Sequence, residues 1–386
     1  MTRVLVARLD SAGDVLLAGP AVRAVAAHPD VDEVVMLCGP QGAAAAAALP
    51  GVDRVLTWAC PWISDPAPAV TAEHLAELDA LLGGTGDGGT AGDATPAARP
   101  DVAVILTSFH QSPLPLALLL RLAMVERIVG ASVDFAGSLL DVRLRPGEDF
   151  PEDQPEVERA LTIARAAGFD LPEGDDGRLA VLPTPDVSAL VGDEPYVVVH
   201  PGAAVPARAW PADSARDLVR LLVARGDTVV VTGGPGEREL TEHVADGIAL
   251  DLGGRTDLPT LAGVLERATV VVAGNTGPAH LAAAVGTPIV SLFSPVVPAI
   301  RWAPYGVPIE LLGDQTERCA GSRARVCPVP GHPCLANVSP EEALAACLRL
   351  TVASRHAAPR QPESQPAVHG PEAPQSDRRE RNGVPA

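Results

Sequence analysis

Val270-Val-Val-Ala-Gly274-Asn275-Thr276-Gly277-Pro278-Ala-His280-Leu-Ala-Ala-Ala is the stretch that sets the architecture. Apolar, mostly β-branched residues run into a Gly-Asn-Thr-Gly turn, and an Ala-rich apolar run follows at once. That order reads as a buried parallel strand, a tight turn and a helix start. A helix start offers unpaired backbone N–H groups and the positive end of a dipole. Phosphate suits such a place, and small residues let it approach the backbone closely. Open α/β sheets bind ligands at the carboxyl ends of their strands, so the stretch predicts an α/β chain with an anion site at this turn.

The same alternation extends on both sides. In the second half, strands are expected at 196–200, 228–232, 249–252, 270–273, 289–293 and 309–312, with helices at 213–225, 238–247, 258–268, 279–285 and 340–353. In the first half, strands are expected at 4–9, 34–38, 54–57, 102–106 and 127–129, with helices at 15–27, 114–123 and 156–167. Two mostly parallel, doubly wound units follow, 1–190 and 191–353. The Gly/Thr/Ala/Asp-rich segment 83–100 reads as a flexible loop, and 354–386, rich in Pro, Gln, Glu, Arg and Ser, as a disordered tail.

The 386 residues suffice for two cores, which Ala, Val and Leu must build because aromatic residues are only 3%. All 29 basic residues are Arg, and the formal charge is −19. An acidic chain without a basic run is a poor nucleic-acid binder, so an anionic substrate must be held by individual Arg residues and helix N-termini. No window approaches about 18 uninterrupted apolar residues, and the longest candidate, 114–125, is broken by Arg121. The first residues read as a strand, not a secretory leader, and the expected compartment is the cytoplasm. Its thiols are then reduced, with Cys38 a small buried apolar residue. Cys319, Cys327, Cys334 and Cys347, with His332 among them, lack the CxxC spacing of standard zinc sites. Unpaired thiols and a structural metal both remain open for that group.

Several residues could carry chemistry. Ser11-Ala-Gly13-Asp14 follows the first strand, and a helix beginning near Val15 would put Asp14 at its N-terminus. Asp14 is then either a helix cap or a general base at a cleft edge. His200-Pro-Gly202-Ala203 leads to Arg208 and Trp210-Pro211. Arg208 is a permanent donor suited to phosphate oxygens or else a solvated surface residue, while Trp210-Pro211 anchors the loop and starts the next helix. Gly233-Gly234-Pro-Gly-Glu237 places a carboxylate early in a helix, where it could take ribose hydroxyls or simply complement the dipole. Neither a dinucleotide GxGxxG nor a Walker loop is present. Asp30-Val31-Asp32 matches a metal-binding DxD formally, but at the wrong end of its strand.

The ordered set resembles glycosyltransferase family 9, the ADP-heptose heptosyltransferases of lipopolysaccharide core assembly. Arg8-Leu-Asp-Ser11-Ala-Gly13-Asp14, His200-Pro-Gly202-Ala203 with Arg208, Gly233-Gly234-Pro-Gly-Glu237, Gly274-Asn275-Thr276-Gly277-Pro278-Ala-His280 and the late Cys-Pro…Gly331-His332-Pro-Cys334 segment carry it over residues 1–350. The resemblance implies a GT-B fold, two Rossmann-like domains facing across a cleft, with acceptor on the first and nucleotide sugar on the second. It implies an inverting, metal-independent transfer with no cofactor. Asp14 would be the base, with Ser11 and Gly13 in the acceptor-side loop. Gly202, Ala203, Arg208, Gly233, Gly234, Glu237, Thr256, Asn275, Thr276, Gly277 and His280 would hold the donor, an ADP-sugar by preference. Arg208 stands where the family usually has Lys, and Asn275 where many members have Asp. The expected partners are a nucleotide sugar and a glycan or glycolipid, with peripheral membrane contact. A nucleotide-sugar epimerase of the same architecture, or an inactive nucleotide-sugar-binding protein, are the alternative readings.

Overall fold

The computed structural model describes residues 2–83 and 99–357. Most of the expected loop at 83–100 and the chain after 357 lie outside the described residues. The first sheet comprises β1 (Thr2–Arg8), β2 (Val31–Cys38), β3 (Arg54–Thr57), β4 (Val102–Ile105), β5 (Arg127–Ala131) and β6 (Val142–Leu144). The second comprises β7 (Tyr196–His200), β8 (Thr228–Val231), β9 (Leu250–Asp251), β10 (Val270–Gly274), β11 (Ile289–Leu292) and β12 (Ile309–Leu312). Their orders are β3-β2-β1-β4-β5-β6 and β12-β11-β10-β7-β8-β9. Every ladder is parallel. Read from their own first strands, the two sheets have the same order.

That shared order matters for function. Each sheet reverses its winding once, between β1 and β4 in the first and between β7 and β10 in the second. A reversal opens a crevice outside the carboxyl ends of the two central strands, because the following connections leave toward opposite faces. The expected motifs at Asp14, Arg208 and Asn275 all follow one of these central strands.

The central strands are apolar on both faces, as strands covered on both sides must be. Val4, Leu5 and Val6 of β1 and Val270, Val271 and Val272 of β10 are all buried. Helices supply matching stripes. In Ala212–Ala224 the buried residues are Ala215, Leu218, Val219 and Leu222, the i, i+3, i+4, i+7 spacing of one helix face. Trp210 anchors its start as expected: its indole N–H donates to the Val338 carbonyl at 3.1 Å. Small Ala-rich helices pack close to the sheets, and one buried apolar cluster runs through both halves with few aromatic residues.

Several elements depart from the sequence reading. The expected helix at 15–27 is two, Ala12–Leu17 and Gly19–Ala26. Pro20 lacks an N–H and its ring opposes continuation from the preceding turn, so the chain breaks at Ala18 and restarts. The first helix therefore starts earlier, with Ser11 at its N-cap. Strand β6 escapes prediction because it has only three residues, each half-buried, without periodicity. Helices Ala43–Ala47, Ala72–Leu81, Ser188–Val191, Ala299–Trp302 and Pro333–Ala336 were also not expected. Most are a single turn, too short for an apolar period to show. The last helix, Pro340–Ala357, runs past its expected end at 353.

Candidate active site where the two crevices meet

Asp14 does not cap its helix. It lies in the first turn of Ala12–Leu17, and Ser11 holds the N-cap position without a side-chain bond to the backbone. The Ser11 hydroxyl instead donates to Asp14 Oδ2 at 2.8 Å. Asp14 Oδ1 accepts from Arg8 Nη2 at 3.0 Å and from the Trp302 indole N–H at 3.3 Å. A carboxylate oxygen has two good acceptor positions. Oδ1 is therefore filled, while Oδ2 keeps one position for an incoming hydroxyl.

Arg8, at the end of β1, is 2% exposed and is the electrostatic centre of the first crevice. Its guanidinium meets Asp10 at 2.9 Å, Asp14 at 3.0 Å and Glu156 at 3.2 Å, and donates to the Ser108 hydroxyl at 2.7 Å. Burial opposes its charge, but the three carboxylates outweigh burial and hold the proton more tightly than usual. The carboxylates differ from one another. Burial pushes Asp10 and Glu156 up. Burial pushes Asp14 the same way, yet the Arg8 charge, the Ser11 hydroxyl, nearby His280 and the Trp302 N–H more than offset it, so Asp14 sits below the ordinary carboxylate value. One carboxylate of the three is thus firmly ionised.

The second crevice faces it. Gly13 has no room for a side chain: a Cβ there would lie 2.9 Å from the His280 ring and 3.4 Å from the Gly277 Cα. Only glycine permits the helix starts at Ala12 and Gly277 to meet this closely. Within the second sheet, a Cβ on Gly274 would lie 3.1 Å from the Arg208 carbonyl oxygen, so the turns after β7 and β10 adjoin. Asn275 and His280 are buried. His280 is close enough to feel both Asp14 and Arg208; burial lowers it to about 4, so its ring is neutral near pH 7.

Three buried atoms in these turns have no hydrogen-bond partner among the described residues: Arg208 Nε, Asn275 Nδ2 and His280 Nδ1. Unpaired buried polar atoms are costly, about 1–3 kcal/mol each. Their gathering at one sheet edge marks a place that a polar, oxygen-rich ligand would complete.

Glu237 is turned inward. Its carboxylate accepts the Gly234 N–H at 2.7 Å and lies 4.0 Å from His200 Nε2, in the space beside Gly202. His200 Nδ1 contacts the Thr232 hydroxyl at 3.0 Å. Gly233 is buried, while Ala203, Thr256, Thr276 and Gly277 are half-buried around the same edge and Ser11 is exposed. Asp32 lies in β2 and accepts the Thr2 N–H, at the amino end of the sheet and away from both crevices.

Several neighbours were not singled out from sequence. Arg8 could have been found, because a charge inside an apolar strand is rarely left unpaired when buried. Glu156 and Arg159 share the buried face of helix Glu156–Ala166, where charged residues are equally unusual. Trp302 and Arg301 gave no signal, since they lie in a single helical turn far along the chain. An open pocket on the first half is lined by Phe109, His110, Gln111, Ser132, Asp134 and Arg159 among others. The late cysteines are free thiols: Cys319, Cys334 and Cys347 are buried and Cys327 is half-buried. No group of three or more potential metal ligands comes together among the described residues. Cys38 is fully buried, and burial pushes its thiol up to about 11.

Two similar parallel sheets with apposed switch-point crevices define a GT-B fold. A glycosyl transferase family 9 structure from Veillonella parvula DSM 2008 superposes with a TM-score of 0.70 at 16% identity, covering 91% of this chain and 98% of that one. The Escherichia coli ADP-heptose lps heptosyltransferase II superposes with a TM-score of 0.67 at 18% identity, covering 92% and 100%. In sequence, lipopolysaccharide heptosyltransferase 3 of Escherichia coli K12 is 31% identical over 126 residues, 31% of this chain and 36% of that protein. The curated relatives it matches first are thus spanned over about a third of their length. The model of glycosyltransferase family 9 (heptosyltransferase) matches residues 110–332, and the chain belongs to that family. No described helix is long and apolar enough to cross a membrane.

Proposed function

We propose that this chain transfers a sugar, a heptose or close relative, from an ADP-sugar to a glycan or glycolipid acceptor, inverting the anomeric centre without a metal. The observation that carries this reading is the opposition of an ionised Asp14, with one free position on Oδ2, to three unpaired buried polar atoms across the cleft, two of them donors. The half 1–190 holds the acceptor and 191–353 the nucleotide sugar. Family membership and the names of the relatives, which include an ADP-heptose lps heptosyltransferase, support the substrate class.

The chemistry balances within these residues. The acceptor O–H proton passes to Asp14 Oδ2 as its oxygen attacks the anomeric carbon from the face opposite the nucleotide. The new C–O bond forms as the bond to the diphosphate breaks, and the electron pair leaves on the diphosphate oxygen. Arg208 and the N–H groups at the start of helix Gly277–Ala284 neutralise that charge, which is the role a metal would otherwise take. Neutral His280 and Asn275 orient the sugar and phosphate by hydrogen bonds. Glu237, already committed to Gly234, is placed for ribose hydroxyls through its other oxygen.

The test is a thermal-shift panel of ADP-, GDP-, UDP- and dTDP-sugars, followed by ADP-heptose with and without de-acylated lipopolysaccharide core. Inverted product and released ADP, undiminished after EDTA treatment and dialysis, are expected. Isomerised donor without acceptor would replace the transferase by an epimerase. Binding with neither reaction would leave a nucleotide-sugar-binding protein. Activity lost to EDTA and restored by Mg²⁺ or Mn²⁺ would refute the metal-independent step.

A further inference from the structure

Trp302 belongs to the half that carries the second sheet, yet its side chain ends on Asp14, in the first. The helical turn Ala299–Trp302 is held against the first half by a set of specific contacts. Arg301, 6% exposed, donates to Glu152 at 3.1 Å and to Asp153 at 3.2 Å, and its guanidinium lies 4.1 Å from the centre of the Phe109 ring. The Phe109 and Trp302 rings pack at 5.6 Å. Tyr305 donates its hydroxyl to Glu158. These contacts aim the Trp302 N–H at Asp14 Oδ1, the oxygen Arg8 also holds.

We propose that Trp302 is a positioning residue for Asp14, supplied across the cleft, so that the carboxylate is fully set only when the two halves are apposed. This rests on the reading of Asp14 as the base. Without the indole, the carboxylate keeps only Arg8 on Oδ1 and the rotatable Ser11 hydroxyl on Oδ2, and its orientation about the last side-chain bond is less firmly set. The indole N–H fills the remaining position on that oxygen and leaves Oδ2 as the oxygen that meets the acceptor. Because the indole comes from the donor-side half, closure and base orientation become one event, and a half-open cleft holds an incompletely oriented base. Indole is a donor only and cannot itself take the acceptor proton, which keeps the base unique.

Two measurements test this, one without substrate. Asp14 is faced by Arg8 and Asp10 at the end of β1, by Ser108 and His110 after β4, by Glu156, by Arg208, by His280 and by the Arg301–Trp302 turn. The parent, with four tryptophans, should show an acid titration of total tryptophan emission that is missing in Trp302→Phe and in Asp14→Asn. In transfer from ADP-heptose to de-acylated core, Trp302→Phe, which keeps the ring against Phe109, should lower kcat at least tenfold, the scale of a hydrogen bond to a charged group. The donor KM should stay within about twofold, and the acid limb of kcat should move to higher pH. Trp302→His, which can return a ring N–H, should recover part of the loss. A Trp302→Phe enzyme with parental kcat and parental acid limb, while Asp14→Asn is dead, overturns the positioning role. An active Asp14→Asn instead overturns the base assignment, and the emission titration then decides the contact by itself: its persistence in Trp302→Phe also overturns the proposal.

Discussion

A single carboxylate decides the chemistry at the residue scale. Asp14 is held below the ordinary carboxylate value because Arg8, Ser11, His280 and Trp302 together outweigh its burial. A lowered value means the ionised form is favoured in the folded state. Its stabilising contribution is present above the unfolded value and is lost only as pH falls through the folded one. The acid limb of kcat/KM that reports Asp14 is therefore expected below the ordinary carboxylate range, and a limb near neutral pH would point to another base. Asp14→Asn should lower transfer by roughly 10²–10⁴ with donor affinity nearly unchanged, measured by ADP release and by calorimetry. Parental turnover would leave Asp14 a structural partner of Arg8. Arg208→Ala should weaken donor and ADP binding by about 1.5–3 kcal/mol, the range for a hydrogen bond to a charged group. Equal affinity in the folded variant would move the diphosphate elsewhere.

Helix starts are the functional unit at the element scale. The helices beginning at Ala12 and Gly277 meet through glycine, and the two glycines are not equivalent. A Cβ on Gly13 runs into the His280 ring at 2.9 Å, whereas a Cβ on Gly277 meets protein atoms no nearer than 3.7 Å. Gly13→Ala should therefore push the helix starts apart, lowering both melting temperature and activity. Gly277→Ala should leave the stability of the free protein within about 0.5 kcal/mol of the parent and still weaken donor binding, because the new methyl occupies the phosphate's approach to the backbone. Calorimetry and thermal unfolding of both variants separate the effects. Equal behaviour of the two would remove the distinction between a packing glycine and a ligand glycine.

The whole molecule works through the meeting of its halves. Arg301 ties them by ion pairs with Glu152 and Asp153 and by its stacking on Phe109. Glu152 is partly exposed and Asp153 largely so, which screens the pairs and reduces their worth. Arg301→Ala should cost about 1–2 kcal/mol, seen as a lower melting temperature. Small-angle scattering should show a more open average shape, and kcat/KM should become less salt-sensitive, because the pairs that salt screens are gone. An unchanged scattering profile would show that other contacts hold the cleft.

The sequence by itself determined the layered α/β architecture, the places of eleven of the twelve strands, and the turns that carry Asp14, Arg208, Asn275 and Gly277. It could do so because strand periodicity, turn glycines and helix starts are local, and parallel strands must present their turns at one edge. Only the tertiary structure decided that Ser11, not Asp14, takes the N-cap, that Arg8 gathers three carboxylates, and that Asp14 alone among them is held low. It also brought Trp302 onto Asp14 across 288 positions of chain. Pairing of buried charges and contact between two halves depend on how separately folded surfaces meet, and no residue pattern within either half encodes that meeting.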